Sequence, residues 1–402
     1  MAVGKTHFPD MPCIEGLRLG TARAGIKKAD RRDLVIFELA EGSHVAATFT
    51  RNAFCAAPVH VARRHLADGA PRYLLINTGN ANAGTGESGM QDALACCAAL
   101  AERTGQLPEQ VLPFSTGVIG EPLPVERIRG GLDEALASLD DGQWQAAAEG
   151  IMTTDTRPKG ATRTIMIEGQ PVVINGISKG AGMICPNMAT MLAFVATDAA
   201  IAHDTLQTLL RESVERSFNR ITIDSDTSTN DACTLVATGR GVAIESDEAL
   251  ATFARALDEV LLSLAQAIVR DGEGATKFVT VVIEEAASVD EALAVAFSVA
   301  HSPLVKTALY ASDANWGRLL MAVGKVPIEH FDVSQVGIDI NGVTIARQGG
   351  RAQEYREEAG AAVMAEEEIN ITIRLGRGTA REQVWTSDLS HDYVSINADY
   401  RS

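Results

Sequence analysis

Apolar and polar residues alternate in some stretches of this chain and recur every three or four positions in others. Val279, Val281 and Ile283 are spaced two apart, as are Ile369, Ile371 and Ile373. Successive strand side chains point to opposite faces, so this spacing predicts half-buried strands over 278–284 and 369–375. Further strand-like runs lie at 33–38, 45–50, 73–77, 172–175, 191–197 and 336–346. Asn341-Gly342 interrupts the last of these, and both residues tolerate positive φ, so a two-residue hairpin is predicted there. From Leu257, the positions Val260, Leu261, Leu264 and Ile268 keep the spacing of one buried helix face, with Gly272 beyond as a stop. Ser288 and Glu291 have capping-box spacing ahead of a helix over 292–299, and the Ala- and Leu-rich stretch 87–103 ends before Gly105.

Strands and helices mix without a strict βαβ rhythm. That favours layered α/β sandwiches over a doubly wound nucleotide-binding sheet. Gly84-Thr85-Gly86 and Gly376-Arg377-Gly378 read as turns, lacking the strand–loop–helix setting and the spacing of a phosphate-binding fingerprint. With 402 residues and no low-complexity linker, two or three structural units are expected.

Charge narrows the partners. The net charge is −17, from 52 acidic and 35 basic residues, and such a surface repels phosphate backbones and anionic headgroups. Neither nucleic acid nor membrane is expected as a partner. No run approaches the roughly 20 apolar residues of a membrane span. Pro9, Asp10, Pro12 and Glu15 occupy the place where a signal peptide needs its apolar stretch, so a cytoplasmic location is expected. The six cysteines include no C-x-x-C pair and the eight histidines are scattered, which gives no metal site.

Chemistry concentrates at 179–192, K-G-A-G-M-I-C-P-N-M-A-T-M-L. A loop punctuated by Gly and Pro leads into Ala189-Thr190 and then an apolar strand. A threonine hydroxyl is a weak nucleophile until something takes its proton. If Thr190 Oγ attacks the Ala189 carbonyl, an N→O shift and ester hydrolysis free the Thr190 α-amine. That amine titrates near pKa ~8 and can serve as the base. Taken alone, Ala-Thr reads as a buried threonine at a strand start, which describes most such pairs.

The full run resembles the self-cleavage signature of the ornithine acetyltransferase (glutamate N-acetyltransferase) family, K-G-x-G-M-I-x-P-N-M-A-T-M-L, at every fixed position. The resemblance extends from N-T-G-N-A-N-A at 77–83 to the C-terminus. It implies a layered α-β-β-α sandwich of the ornithine acetyltransferase and self-processing aminopeptidase type, with a smaller C-terminal α/β region. It also implies cleavage into an α chain, 1–189, and a β chain, 190–402, assembled as a heterotetramer of two of each. The reaction implied is acetyl transfer from N2-acetylornithine to glutamate in arginine biosynthesis, ping-pong through an acetyl-threonine. No cofactor is needed, and acetyl-CoA as a further donor stays open.

The same resemblance assigns residues. Thr190 is the nucleophile, and Thr116 and Gly117, in S-T-G-V-I-G, form the oxyanion hole. Thr153, Lys179, Thr190, Glu273, Asn397 and Ser402 bind substrate. Without the resemblance, Ser115-Thr116-Gly117 reads as a turn and Asp271-Gly272-Glu273-Gly274 as a solvated helix end. Three positions depart from the family pattern: Ser225 for Gly, Ala314 for Pro, and Gly84 where Cys is frequent. The alternatives are a same-fold amidohydrolase or aminopeptidase, in which water replaces glutamate, and an acyltransferase of secondary metabolism with another acceptor.

Overall fold

The computed structural model describes residues 2–4, 7–185 and 191–399; Ala189, Thr190 and Ser402 lie outside them. The chain forms two compact units. The larger is His7–Asn219 with Asp226–Ile268, and the smaller takes the described residues of Met1–Thr6, Arg220–Ser225 and Val269–Ser402.

In the larger unit the elements are β1 (Leu17–Ala22), β2 (Leu34–Leu39), β3 (His44–Phe49), α1 (Ala57–Asp68), β4 (Tyr73–Asn80), α2 (Gly86–Thr104), β5 (Val111–Val118), α3 (Val125–Ala137), α4 (Trp144–Gly150), β6 (Lys159–Ile167), β7 (Gln170–Lys179), β8 (Leu192–Thr197), α5 (His203–Arg216), β9 (Ala232–Ala237) and α6 (Asp247–Arg270). They build two sheets, ordered β1-β2-β4-β5 and β3-β9-β8-β7-β6. The sheets face one another. Phe194 of β8 lies 5.4 Å from Phe37 of β2 and 5.2 Å, edge-on, from Phe114 of β5. Along β2 the residues divide by face: Val35, Phe37 and Leu39 join the core between the sheets, while Leu34 and Ile36 pack outward with Leu100 of α2 and Leu132 of α3. On the other sheet, a Cβ added to Gly176 of β7 would come within 2.9 Å of Leu264 and 3.3 Å of Val260, so the apolar stripe of α6 sits directly on the strand. Helix, sheet, sheet and helix follow in layers, as the resemblance implies.

Two local readings are overturned. Ser115-Thr116-Gly117 is not a turn; it ends β5, pairing in parallel with Asn77, Thr78 and Gly79 of β4. Gly84-Thr85-Gly86 does occupy a strand–loop–helix setting, between β4 and α2, because α2 is the crossover that parallel pairing of β4 and β5 requires. The helix stop expected at Gly105 is there, with φ 68°. In the second sheet, β8 lies between β7 and β9, with Leu192 opposite Lys179 on one side and Ala232 on the other.

The smaller unit contains β10 (Phe278–Ala286), α7 (Val289–Ala300), α8 (Pro303–Tyr310), α9 (Trp316–Gly324), β11 (Gly337–Ile340), β12 (Val343–Arg347), β13 (Gly350–Arg351), α10 (Glu357–Met364), β14 (Glu368–Arg374), β15 (Ala380–Ser387) and α11 (His391–Ala398). Its sheet runs β13-β12-β11-β14-β10-β15. The alternating residues of β10 and β14 enter one core with Val295 and Val299 of α7. Asn341 and Gly342 turn the β11–β12 hairpin at φ 45° and 81°. Ser288 caps α7 by accepting from the Glu291 N–H at 3.1 Å, and the Glu291 carboxylate accepts from the Ala287 N–H at 3.0 Å. Among the described residues no single helix is long and apolar enough to cross a membrane.

Candidate active site

In the larger unit, the ends of three neighbouring stretches bring polar groups into an apolar surround. Lys179, the last residue of β7, is buried, and its Nζ donates to Thr116 Oγ1 at 3.2 Å. Gly117 follows with φ 138°, where the β4–β5 register slips. A Cβ on Gly117 would stand 2.3 Å from the Gly79 carbonyl carbon and 2.5 Å from the Asn80 nitrogen. Only glycine fits there, and its fit is what lets the two strand ends kink together.

Beneath this corner lies Asp155. Its carboxylate accepts from Lys159 Nζ at 2.6 Å, the Gly180 N–H at 2.7 Å and the Thr153 N–H at 2.9 Å. One buried anion therefore ties the segment carrying Thr153 to the turn that follows Lys179. Burial alone would raise its pKa, but the charges of Lys159 and Lys179 and the Gly180 N–H outweigh that and hold it below the usual carboxylate range. Arg31 fastens the same segment from outside, donating to the Met152 and Thr153 carbonyls. A cleft of about 490 Å³ opens beside it, lined by Arg23, Lys28, Arg31 and Arg32 together with Asp30, Glu149, Met152, Asp155 and Pro158.

A second buried acid stands just ahead of β9. Asp231 is 3% exposed, and its Oδ2 has no hydrogen-bond partner among the described residues. Burial drives its pKa well above the ordinary carboxylate value; a hydrogen bond with Ser228 and the charge of Lys179 offset this only in part. The Asp155 carboxyl is thus held below the ordinary carboxylate range and the Asp231 carboxyl above it, near the same lysine.

In the smaller unit, Asn397 of α11 donates from Nδ2 to Glu273 Oε2 at 2.8 Å. The loop bearing Glu273 and the start of α11 are packed closely: a Cβ on Gly274, whose φ is 68°, would lie 2.5 Å from both Ser390 Oγ and the Tyr393 nitrogen. Ser390 donates to the Gly274 carbonyl at 2.7 Å, and Asp388 accepts from the Thr276 and Lys277 N–H groups at 2.8 and 3.0 Å. Ser225 has φ 71°, a left-handed conformation that explains why the family pattern carries glycine at this position. Nothing in the structure explains Ala314.

The family model described as ArgJ family matches residues 18–402. The chain belongs to the ArgJ family. It is 55% identical to the arginine biosynthesis bifunctional protein ArgJ of Pseudomonas fluorescens (strain Pf0-1) over the whole of both chains. To the protein of the same name from Methylococcus capsulatus it is 57% identical, over 97% of this chain and 96% of that one. A crystal structure of the arginine biosynthesis bifunctional protein ArgJ from Bacillus halodurans is 39% identical and covers 51% of this chain and 97% of its own, with a TM-score of 0.49.

Membership of the ArgJ family is what the signature at 179–192 implies. Of the residues singled out by the resemblance, Thr116, Gly117 and Lys179 stand together, and Asp155 links Thr153 to them. Glu273 and Asn397 are hydrogen-bonded to each other in the smaller unit. Ala189, Thr190 and Ser402 lie outside the described residues. The sequence reading passes over Asp155, Lys159 and Asp231. Asp155 lies within M-T-T-D-T, the segment from which Thr153 is chosen, so an acid among threonines was the available signal. Asp231 sits in T-N-D-A, where nothing local distinguishes it from a loop aspartate.

Proposed function

We propose that Thr190, freed at its α-amine by cleavage of the Ala189–Thr190 bond, carries an acetyl group from N2-acetylornithine to glutamate. As a member of the ArgJ family the chain is an acyltransferase of arginine biosynthesis. The observation that carries the finer reading is the Lys179–Thr116 hydrogen bond beside Gly117, at the close of the strand that leads into the self-cleavage signature.

Thr190 Oγ attacks the acetyl carbonyl while its own amine takes the hydroxyl proton. Negative charge gathers on the carbonyl oxygen, opposite the Thr116 hydroxyl and the Gly117 N–H. Thr116 Oγ1 accepts from the Lys179 ammonium, so its own hydrogen is left to donate, and the neighbouring cation strengthens that donor. One such donor is worth roughly 3–4 kcal/mol in the transition state. Ornithine leaves with the proton from the amine, glutamate takes its place, and the glutamate amine removes the acetyl group from Thr190. Thr153, Lys179, Glu273, Asn397 and Ser402 hold the substrates, with Lys179 suited to a carboxylate.

β7 precedes the proposed cut and β8 follows it, and the two pair antiparallel from Ile174–Thr197 to Lys179–Leu192. That ladder supports lasting association of the α and β chains, assembled as two of each in the cytoplasm. The reaction as drawn uses no metal or cofactor. Acetyl-CoA is a second donor in this reading. It is supported by the word bifunctional in the relatives' names and by the Arg23, Lys28, Arg31 and Arg32 side chains around the cleft at Met152. The test is ornithine release from N2-acetylornithine with and without glutamate. Release that depends on glutamate, with N-acetylglutamate formed one for one, supports transfer; equal release without glutamate makes the protein a hydrolase.

A further inference from the structure

Lys306 of α8 is a buried cation in the smaller unit that the proposed reaction leaves unused. Among the described residues its ammonium has two hydrogen-bond acceptors, both neutral: the Thr386 hydroxyl at 2.9 Å and the Ser387 carbonyl. Burial lowers its pKa to about 8, although the charges of Asp388 and Asp224 act in the other direction. Taking an ammonium out of water against two neutral oxygens is costly, and an apolar side chain of the same length would remove that cost. A lysine kept under these conditions beside a candidate site has a use there.

That use follows from what the lysine holds. Thr386 and Ser387 are the last two residues of β15, and the Leu389 N–H donates to the Lys306 carbonyl at 3.2 Å. Lys306 therefore grips residues 386–389 through both its side chain and its main chain. From this stretch two contacts reach the substrate-binding pair. Asp388 accepts from the Thr276 hydroxyl at 2.6 Å and from the Thr276 and Lys277 N–H groups, which ties down the loop that carries Glu273. Ser390 donates to the Gly274 carbonyl and accepts from the Tyr393 N–H at 3.3 Å, which fixes the first turn of α11, the helix that carries Asn397. Both partners of the 2.8 Å Glu273–Asn397 hydrogen bond thus hang on residues 387–390, and that stretch is anchored to α8 by Lys306.

We propose that Lys306 is a positioning residue for the binding of N2-acetylornithine. By anchoring residues 387–390 it sets the placement of the Glu273 carboxylate and the Asn397 amide, while itself touching no substrate and moving no proton. The inference rests on the reading that Glu273 and Asn397 hold substrate.

The experiment is steady-state kinetics of acetyl transfer from N2-acetylornithine to glutamate, with folding checked by circular dichroism. Four proteins are compared: the wild type, Lys306→Met, a Glu273→Gln/Asn397→Ala protein, and the latter with Lys306→Met added. Methionine keeps much of the length of the lysine stem and has no N–H. Lys306→Met is expected to raise KM for N2-acetylornithine about tenfold with kcat little changed, the pattern of binding lost equally from ground and transition states. Added to the Glu273→Gln/Asn397→Ala protein, the same change is expected to move KM by less than about twofold, because the groups it acts through are already gone. A purely structural role would weaken both backgrounds alike, and a further tenfold rise there overturns the proposal. So does an unchanged KM in Lys306→Met, or a loss confined to kcat. A Glu273→Gln/Asn397→Ala protein with the wild-type KM removes the substrate reading itself, whereas a raised KM there beside an unchanged KM in Lys306→Met removes only the positioning role. If Lys306→Met does not fold, Lys306→Gln, which retains a neutral N–H donor, takes its place in the same comparison. Failure of both to fold makes Lys306 a structural residue and overturns the proposal.

Discussion

Replacing Asp155 by Asn removes the anion that organises the corner around Lys179. In the wild type, three donors converge on the carboxylate, from Lys159, Gly180 and Thr153. The Lys159 and Asp155 side chains are 1% and 0% exposed, so neither water nor salt can replace a lost partner. An asparagine accepts through one atom only, and its NH₂ must face one of the donors. Breaking a buried ion pair from one side typically costs about 3–5 kcal/mol, because the remaining charge is left uncompensated. For a unit of this size that is a fall in Tm on the order of 10 °C. The assay is thermal unfolding in a Thr190→Ala background, so that one uncut chain is compared with another. The sign of the pH effect also follows. The folded-state pKa of Asp155 lies below its unfolded value of 3.8, so its contribution is complete above about pH 5 and is lost as pH falls through the folded value. The Tm gap between the two proteins should therefore be widest near pH 7 and start to narrow as pH drops below about 4. An Asp155→Asn protein as stable as its parent at pH 7, or a gap that widens in acid, would refute the reasoning.

Thr116→Val keeps the shape of the side chain but removes the hydroxyl; kcat for acetyl transfer should fall roughly 100- to 1000-fold with KM little changed, measured by steady-state kinetics. Ser225→Gly relieves a left-handed backbone, gaining about 1 kcal/mol in the folded state and giving back part of it through the freer unfolded chain. The net expectation is a small rise in Tm, and a fall would contradict the strain argument. Replacing Arg23 and Lys28 together by Ala should raise KM for acetyl-CoA about tenfold while leaving KM for N2-acetylornithine unchanged, since one charge-assisted hydrogen bond is worth that much. An unchanged KM for both donors would remove the cleft from the account.

What could be read from the sequence depended on how many sides of an element are covered. β10 and β14 show their apolar alternation because one face packs on α7 and the other is less buried, and the 341–342 turn is legible because two residues at positive φ need Asn and Gly. β9, A-C-T-L-V-A, is buried at every position, so it carries no period-two signal and escapes notice. Ser115-Thr116-Gly117 has the composition of a turn, yet it forms a strand end because β4 lies parallel beside it. At the site, the positions in the signature were visible through family resemblance. The two acids were not, since what makes Asp155 and Asp231 unusual is their burial and the charge of Lys179, which β7 brings to both from a distant part of the chain.

The central claim is that Thr190 both cuts the chain and carries the acetyl group. Intact-protein mass spectrometry before and after brief exposure to N2-acetylornithine tests it most directly. The account predicts two fragments meeting at Ala189 and Thr190, with only the fragment that begins at Thr190 gaining the mass of one acetyl group. A single uncut chain that gains no mass, or an acetyl group on the fragment ending at Ala189, would contradict it.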